Sequence, residues 1–246
     1  MSTSEAAGGM RVMVLAPHPD DDVIGCGGTV IQSVRAGADV TVVYVTSGDA
    51  GALTGTPQDV AATREAEALA ACAVTGVAGT HFLRQREGAI DVGRDLVAVL
   101  VGLLRTARPD VVLLPHAADG HVDHVAAHHL GMRAVGGAAG PWFPEAGGEP
   151  HRTGTVLGYE VWTPIAAPAL VRDVTDAHAV RLRALAEHRS QVGDFAYEQF
   201  LTGLSAYRGA PLGRGRYGEA FDVLALPGAL ALDALAPPVG REEAAE

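Results

Sequence analysis

A chain of 246 residues with 48% hydrophobic side chains is long enough to bury a full core, and α/β folds use this length for one domain. Its formal charge of −11 excludes the clustered cations that nucleic acid or an anionic lipid surface requires, which leaves a small molecule as the expected partner. Two cysteines, Cys26 and Cys72, are too few for a disulfide scaffold, residues 1–10 lack a basic and apolar leader, and no run reaches the roughly 18 apolar residues of a membrane span, so a cytoplasmic protein is expected.

Residues 1–10 read as a disordered N-terminus. Val12–Leu15 is the first of three nearly continuous apolar runs, and Val40–Val45 and Val111–Leu114 are the others. Runs without polar alternation read as strands buried on both faces, as in a parallel sheet. A helix is expected to begin near Gly25, Gly27 and Gly28. Residues 57–74 read as the next helix, with Thr56 as cap, Pro57 in the first helical position and Asp59 at the positive end of the dipole. Residues 93–107 make another, with Leu96, Leu100, Leu103 and Leu104 on one face. The Gly/Pro-rich stretch 136–154 reads as a long loop at the sheet edge or over the site. Val156–Trp162 and Ala169–Val174 read as further strands, 176–188 and 195–208 as helices, and 236–246 as a disordered acidic tail. The alternation implies right-handed crossovers and a Rossmann-like three-layer α/β sandwich, one domain over 11–235, with ligands beyond the carboxyl ends of a mainly parallel sheet.

Each of the three apolar runs is followed directly by a polar cluster, so chain order brings the three clusters to one rim. The first, Pro17-His18-Pro19-Asp20-Asp21-Asp22, sets a histidine and a carboxylate three residues apart in a tight turn, an arrangement that suits Zn²⁺ or Fe²⁺. The nearby glycines could belong to a dinucleotide loop, but three consecutive carboxylates would repel a pyrophosphate. A further ligand must come from another strand end. The third cluster holds His116, His121, His124, His128 and His129. For His128 and His129 the expected role is a surface or hydrogen-bonded core histidine. For His121 and His124, flanking Asp123, a metal site is the stronger reading, with Asp123 capping the next helix or orienting an imidazole.

His18-Pro19-Asp20-Asp21 after a first strand, with His121-Val122-Asp123-His124 after a later one, resembles the LmbE/PIG-L family of zinc-dependent N-acetylglucosaminyl deacetylases, over a span from about Arg11 to Gln191. The resemblance implies zinc ligands at His18, Asp21 and His124, Asp20 as general base, and His121 as oxyanion stabiliser or proton donor to the leaving amine. Weaker echoes are Thr46–Gly51, similar to the family's T-x-G-E-x-G, Arg64 with Glu67, similar to R-x-x-E with its substrate-contacting Arg, and His188–Gln191, similar to H-x-S-Q. Two positions depart from the pattern. Asp22 stands where the family has Glu, and Glu87 meets the place of a sugar-contacting Asp.

The implied activity is removal of an acetyl or acyl group from an N-acetylglucosamine-type conjugate, by attack of zinc-activated water on the amide. Alternatives are an amidase of thiol conjugates or of an acylated antibiotic intermediate, with loop 136–154 as the deciding element, and a non-catalytic sugar-binding module. A non-haem iron oxygenase also uses two His and a carboxylate, but typically on an all-β frame. Nothing in the composition requires or excludes a homo-oligomer.

Overall fold

The computed structural model describes residues 9–52, 54–193 and 195–225. The tail 236–246 and residues 1–8 of the expected N-terminal segment lie outside the described residues. The chain starts with β1 (Arg11–Ala16), α1 (Asp21–Arg35), β2 (Asp39–Thr46), α2 (Pro57–Thr75), β3 (Gly79–Gln85), α3 (Arg94–Ala107), β4 (Val111–Pro115) and α4 (Val122–Ala138). It continues with β5 (Thr155–Tyr159), β6 (Leu170–Asp173), α5 (His178–Leu185), α6 (Arg189–Val192), α7 (Tyr197–Gly209) and β7 (Gly218–Ala225). The strands form one sheet in the order β3-β2-β1-β4-β5-β7-β6. The first five are parallel, while β7 runs antiparallel to both β5 and β6. This is the expected α/β sandwich.

The apolar run of β1 is continuous because both of its faces are covered. Val12, Val14 and Ala16 pack with Val23 of α1, Ala68 of α2 and Leu185 of α5, whereas Met13 and Leu15 pack with Leu100 of α3 and Leu130 of α4. Helix α2 is capped as its sequence predicts: the Asp59 N–H donates to Thr56 Oγ1 at 3.2 Å behind Pro57. Among the described residues, no helix is long and apolar enough to cross a membrane.

Helix α1 is broken at Cys26, whose φ of −145° lies outside the helical range. A buried ion pair splints the break. Glu219 of β7 accepts from the N–H groups of Gly28 (2.7 Å) and Thr29 (2.8 Å), which open the second half of the helix. Arg181 of α5, 3.1 Å from Glu219, donates to the carbonyls of Val23 and Ile24, which close the first half. Each charge thus sits at the helix end whose partial charge it opposes. The glycines around the break serve packing: a Cβ at Gly25 would stand 2.2 Å from the Tyr159 ring, and one at Gly28 2.6 Å from Val174.

The stretch 136–154 differs from expectation. Its first residues complete α4, and the remainder lies at the opposite end of the sheet from the clusters. A helix after a parallel strand carries the chain back to the strands' amino ends, and there His151 N–H donates to Ala138 O and Gly154 N–H to Asp110 O. The Arg105 guanidinium at the end of α3 holds this loop through the carbonyls of Gly137, Gly140, Trp142, Phe143 and Gly147. Within the chain it lies away from the clusters at the rim.

Candidate active site

From β1 the chain runs to β2 and β3 on one side, then returns to β4 and β5 on the other, so the sheet has its topological switch point between β1 and β4. The segment after β1 carries His18 to Asp22, and the segment after β4 carries Asp119 to His124. Asp20 takes a φ of 118°, a left-handed backbone that costs a non-glycine residue roughly 1–3 kcal/mol and that recurs at functional sites. The residue capping α4 is His121, whose Nδ1 accepts from the Asp123 N–H at 3.2 Å. Asp123 Oδ2 lies 3.0 Å from His18 Nε2.

His18, His121 and His124 each bring a ring nitrogen within 4.8 Å of the others. Asp21 Oδ2 lies 3.1 Å from His18 Nδ1 and 3.3 Å from His124 Nε2. The compact set therefore contains the three residues expected as ligands together with His121. His124 is fully buried, yet neither of its ring nitrogens has a partner in hydrogen-bond geometry among the described residues. A buried imidazole of this kind, beside a carboxylate and two further histidines, fits a divalent cation of the Zn²⁺ or Fe²⁺ type. Burial opposes a charged His18, but its hydrogen bonds to Asp123 and Asp21 outweigh that and raise it to about 9. His124 is likewise raised to about 10, with burial overcome mainly by Asp21 and Asp119. Burial favours a neutral Asp21, yet His124 and His18 hold it far below the usual carboxylate range. Burial, His18 and His124 push His121 down.

Asp20 stands apart from this set. Arg64 Nη2 donates to Asp20 Oδ2 at 3.3 Å and to Pro19 O at 2.9 Å, and Nη1 donates to Gly48 O at 3.3 Å. Burial raises Asp20 to about 7, with Arg64 opposing. Arg64 is 3% exposed, so its charge is buried against these partners and does not sit on a solvated helix face. A Cβ at Gly48 or Gly51 would come within 2.3 or 2.1 Å of its guanidinium. The glycines of Thr46–Gly51 thus make room for Arg64. Glu87 does reach the site. Its Oε1 lies 3.9 Å from His18 Nε2, and its Oε2 accepts from the Ala50 N–H at 2.8 Å. Asp49 fixes that loop by accepting from the Glu87 N–H at 2.9 Å.

Other expected positions fall elsewhere. His128 Nδ1 bonds Pro115 O at 2.8 Å and His129 is exposed, as predicted for histidines outside the site. His116 bonds Thr163 O at 2.8 Å. Asp22 points into the core beside Tyr44, Oδ1 is without a hydrogen-bond partner among the described residues, and burial lifts it to about 6. Asp119 carries a role that sequence reasoning missed. Its Oδ1 lies 3.4 Å from His124 Nδ1 and accepts from the His121 N–H, while Oδ2 accepts from the Trp162 N–H at 3.0 Å. It stands beside His124 as Asp123 stands beside His18. The available signal was a carboxylate five residues before a candidate ligand in one loop. His188 is buried behind Arg64 and held down at about 4 by burial and that cation. Ser190 ties to Glu67 through its N–H (2.8 Å) and hydroxyl (2.7 Å), which links two of the three weaker sequence echoes.

Comparison with known proteins bears on this arrangement. The family model PIG-L, GlcNAc-PI de-N-acetylase, matches residues 13–135, which span β1 to α4 and both histidine segments. A diacetylchitobiose deacetylase of Thermococcus kodakarensis is 31% identical over 221 residues, 85% of this chain and 81% of the relative. A 1D-myo-inositol 2-acetamido-2-deoxy-alpha-D-glucopyranoside deacetylase of Rhodococcus erythropolis is 32% identical over 177 residues, 60% of each chain. The solved structure of N,N'-diacetylchitobiose deacetylase from Pyrococcus horikoshii superposes with a TM-score of 0.80 at 28% identity, covering 87% of this chain and 83% of that one. Sequence and fold agree, and the chain belongs to the PIG-L/LmbE family.

Proposed function

We propose that this protein is a zinc-dependent hydrolase that removes the acetyl group from an N-acetylglucosamine-type conjugate. The observation that carries the reading is the pairing, at one switch point, of a histidine and carboxylate donor set with a separate buried carboxylate held by an arginine. Relatives named as deacetylases of diacetylchitobiose and of an inositol glucosaminide support the same chemistry and the same substrate class.

In this reading His18, Asp21 and His124 hold the metal. When bound, it supplies Lewis acidity that polarises an amide carbonyl and makes water a better nucleophile at neutral pH. Asp20, next to a ligand but turned to Arg64, accepts the proton of the attacking water, and its raised pKa suits that exchange near neutral pH. Arg64 keeps the Asp20 carboxylate aimed, because its other bonds anchor the guanidinium to two backbone carbonyls. His121 stands across the donor set and stabilises the oxyanion or protonates the departing amine. Asp123 and Asp119 orient His18 and His124. Glu87, whose one oxygen is fixed by Ala50, offers the other to a sugar hydroxyl. We assign these roles to one catalytic domain over 11–235, and the two free buried cysteines suit a cytosolic setting.

The test is to incubate zinc-loaded protein with a panel of N-acetylglucosaminides and measure free amine and acetate. One amine per acetate is expected. Metal bound with no amine released from any member overturns the proposal.

A further inference from the structure

The segment His188-Arg189-Ser190-Gln191 opens α6, far in sequence from the donor set, yet it is tied to both elements that hold Arg64. The Ser190 N–H and hydroxyl donate to the two carboxylate oxygens of Glu67, at 2.8 and 2.7 Å, and Glu67 lies three residues beyond Arg64 on the same side of α2. Gln191 Nε2 donates to Gly51 O at 3.2 Å. Gly51 in turn donates its N–H to Gly48 O at 3.1 Å, the same carbonyl that accepts from Arg64 Nη1.

A turn with glycine at both ends has little stiffness of its own, because glycine loses more conformational freedom on being fixed than any other residue. Glycine is nonetheless required at both places, since a Cβ would strike the guanidinium. The turn is therefore held from outside: Glu87 meets Asp49 and Ala50, and Gln191 takes Gly51. Behind the guanidinium, His188 is fully buried and neither of its ring nitrogens has a hydrogen-bond partner among the described residues, and Arg64 Nε is likewise unpartnered. Burial and the Arg64 charge hold that imidazole at about 4, so it stands there neutral. A neutral ring that takes no bond from the guanidinium leaves its charge directed at Asp20, 3.3 Å away, and at the carbonyls of Pro19 and Gly48.

Resting on the deacetylase reading, we infer that Gln191 and Ser190 are positioning residues for proton transfer. They clamp the start of α6 to the Gly48–Gly51 turn and to α2, which closes the His188 ring over the back of Arg64, shuts water out and keeps the Asp20 carboxylate aimed.

In protein labelled with ¹⁵N-arginine, the Arg64 Nε–H signal is assigned by its loss in Arg64→Gln, and its exchange with water reports on the back of the guanidinium. That signal should exchange slowly in the parent and at least about tenfold faster in Gln191→Ala and Ser190→Ala, with Ser190→Thr restoring it. Arg189→Ala, in the same segment but with its side chain 78% exposed, should leave it unchanged. In turnover, Gln191→Ala should lower kcat about fivefold to twentyfold with KM and zinc content within about threefold of the parent. Combined with Arg64→Gln it should add less than about twofold, because both substitutions act on one carboxylate, whereas a merely structural loss multiplies. Equal Arg64 exchange in the parent and Gln191→Ala, or a full multiplicative loss on top of Arg64→Gln, overturns the inference. Amine release by the parent protein scores the deacetylase reading separately, since the exchange measurement needs no turnover.

Discussion

Glu219→Gln tests how the fold holds the first turn of α1, which presents Asp21 and Asp22. In the parent, Glu219 is 2% exposed and Arg181 3%, their charged atoms are 3.1 Å apart, and two backbone N–H groups of α1 donate to the carboxylate. The substitution keeps the shape but removes the charge, and it replaces one acceptor with an NH₂ that confronts a backbone N–H. Arg181 is left buried without its counter-ion. Breaking a buried pair from one side costs about 3–5 kcal/mol, because the surviving charge stays desolvated. For a domain of this size each kcal/mol is worth roughly 2–4 °C, so the melting temperature should fall by roughly 6–20 °C. Urea unfolding followed by circular dichroism gives the free energy directly, and an unchanged m-value shows that the native state kept its compactness. Zinc affinity should fall as well, because α1 is spliced by this pair between Ile24 and Gly28. A loss under about 1 kcal/mol, the level of a surface pair, with zinc affinity unchanged would refute the reasoning.

Arg64→Gln should lower kcat by about 100-fold or more while zinc content stays at the parental level, since the arginine touches the base and not the donor set; loss of zinc in parallel would contradict that separation. Gly48→Ala, at φ +66° and with its Cβ aimed at the Arg64 guanidinium, should reproduce the same kinetic defect with a lower melting temperature. Asp119→Asn should weaken zinc binding about 10–100-fold in a chelator competition, as expected for a carboxylate that orients a ligand histidine. His178, stacked on Tyr217, is held at about 4 by burial and by Arg181. The unfolded chain takes up a proton near pH 6.5 that the folded one refuses until about 4, so this residue's contribution to stability is full above pH 6.5 and declines as pH falls towards 4. His178→Asn should therefore lose less stability than the parent between pH 6.5 and 4 in parallel denaturant titrations.

The parallel core was legible because β1, β2 and β4 are buried on both faces, and such burial writes unbroken apolar runs. Strand β3 escaped notice because it is an edge strand with no fully buried residue, and its sequence Gly-Thr-His-Phe-Leu-Arg-Gln has no run to find. Strand β7 escaped for a different reason: it arrives last and inserts antiparallel between β5 and β6, a placement set by partners far away in sequence. β5 was read as extending to Trp162, whereas residues after Tyr159 leave the sheet so that the N–H groups of Trp162 and Thr163 can meet Asp119. At the site, the short spacing of His18 with Asp21 and of His121 with His124 was visible, since each pair lies within one turn. The contacts across elements were not. Nothing local announces that Arg64 is buried on Asp20, that Asp119 turns to His124, or that Gln191 reaches Gly51. Those depend on where α2, β4 and α6 lie, which is information held by packing.

The central claim is that metal binding and proton transfer reside on neighbouring but separate residues. It is tested most directly by measuring zinc content and deacetylation of N,N'-diacetylchitobiose in parallel for Asp20→Ala and His124→Ala. Asp20→Ala should keep a full complement of zinc and lose most turnover, whereas His124→Ala should lose both. Equal zinc loss in the two variants, or turnover by Asp20→Ala close to the parent, would contradict it.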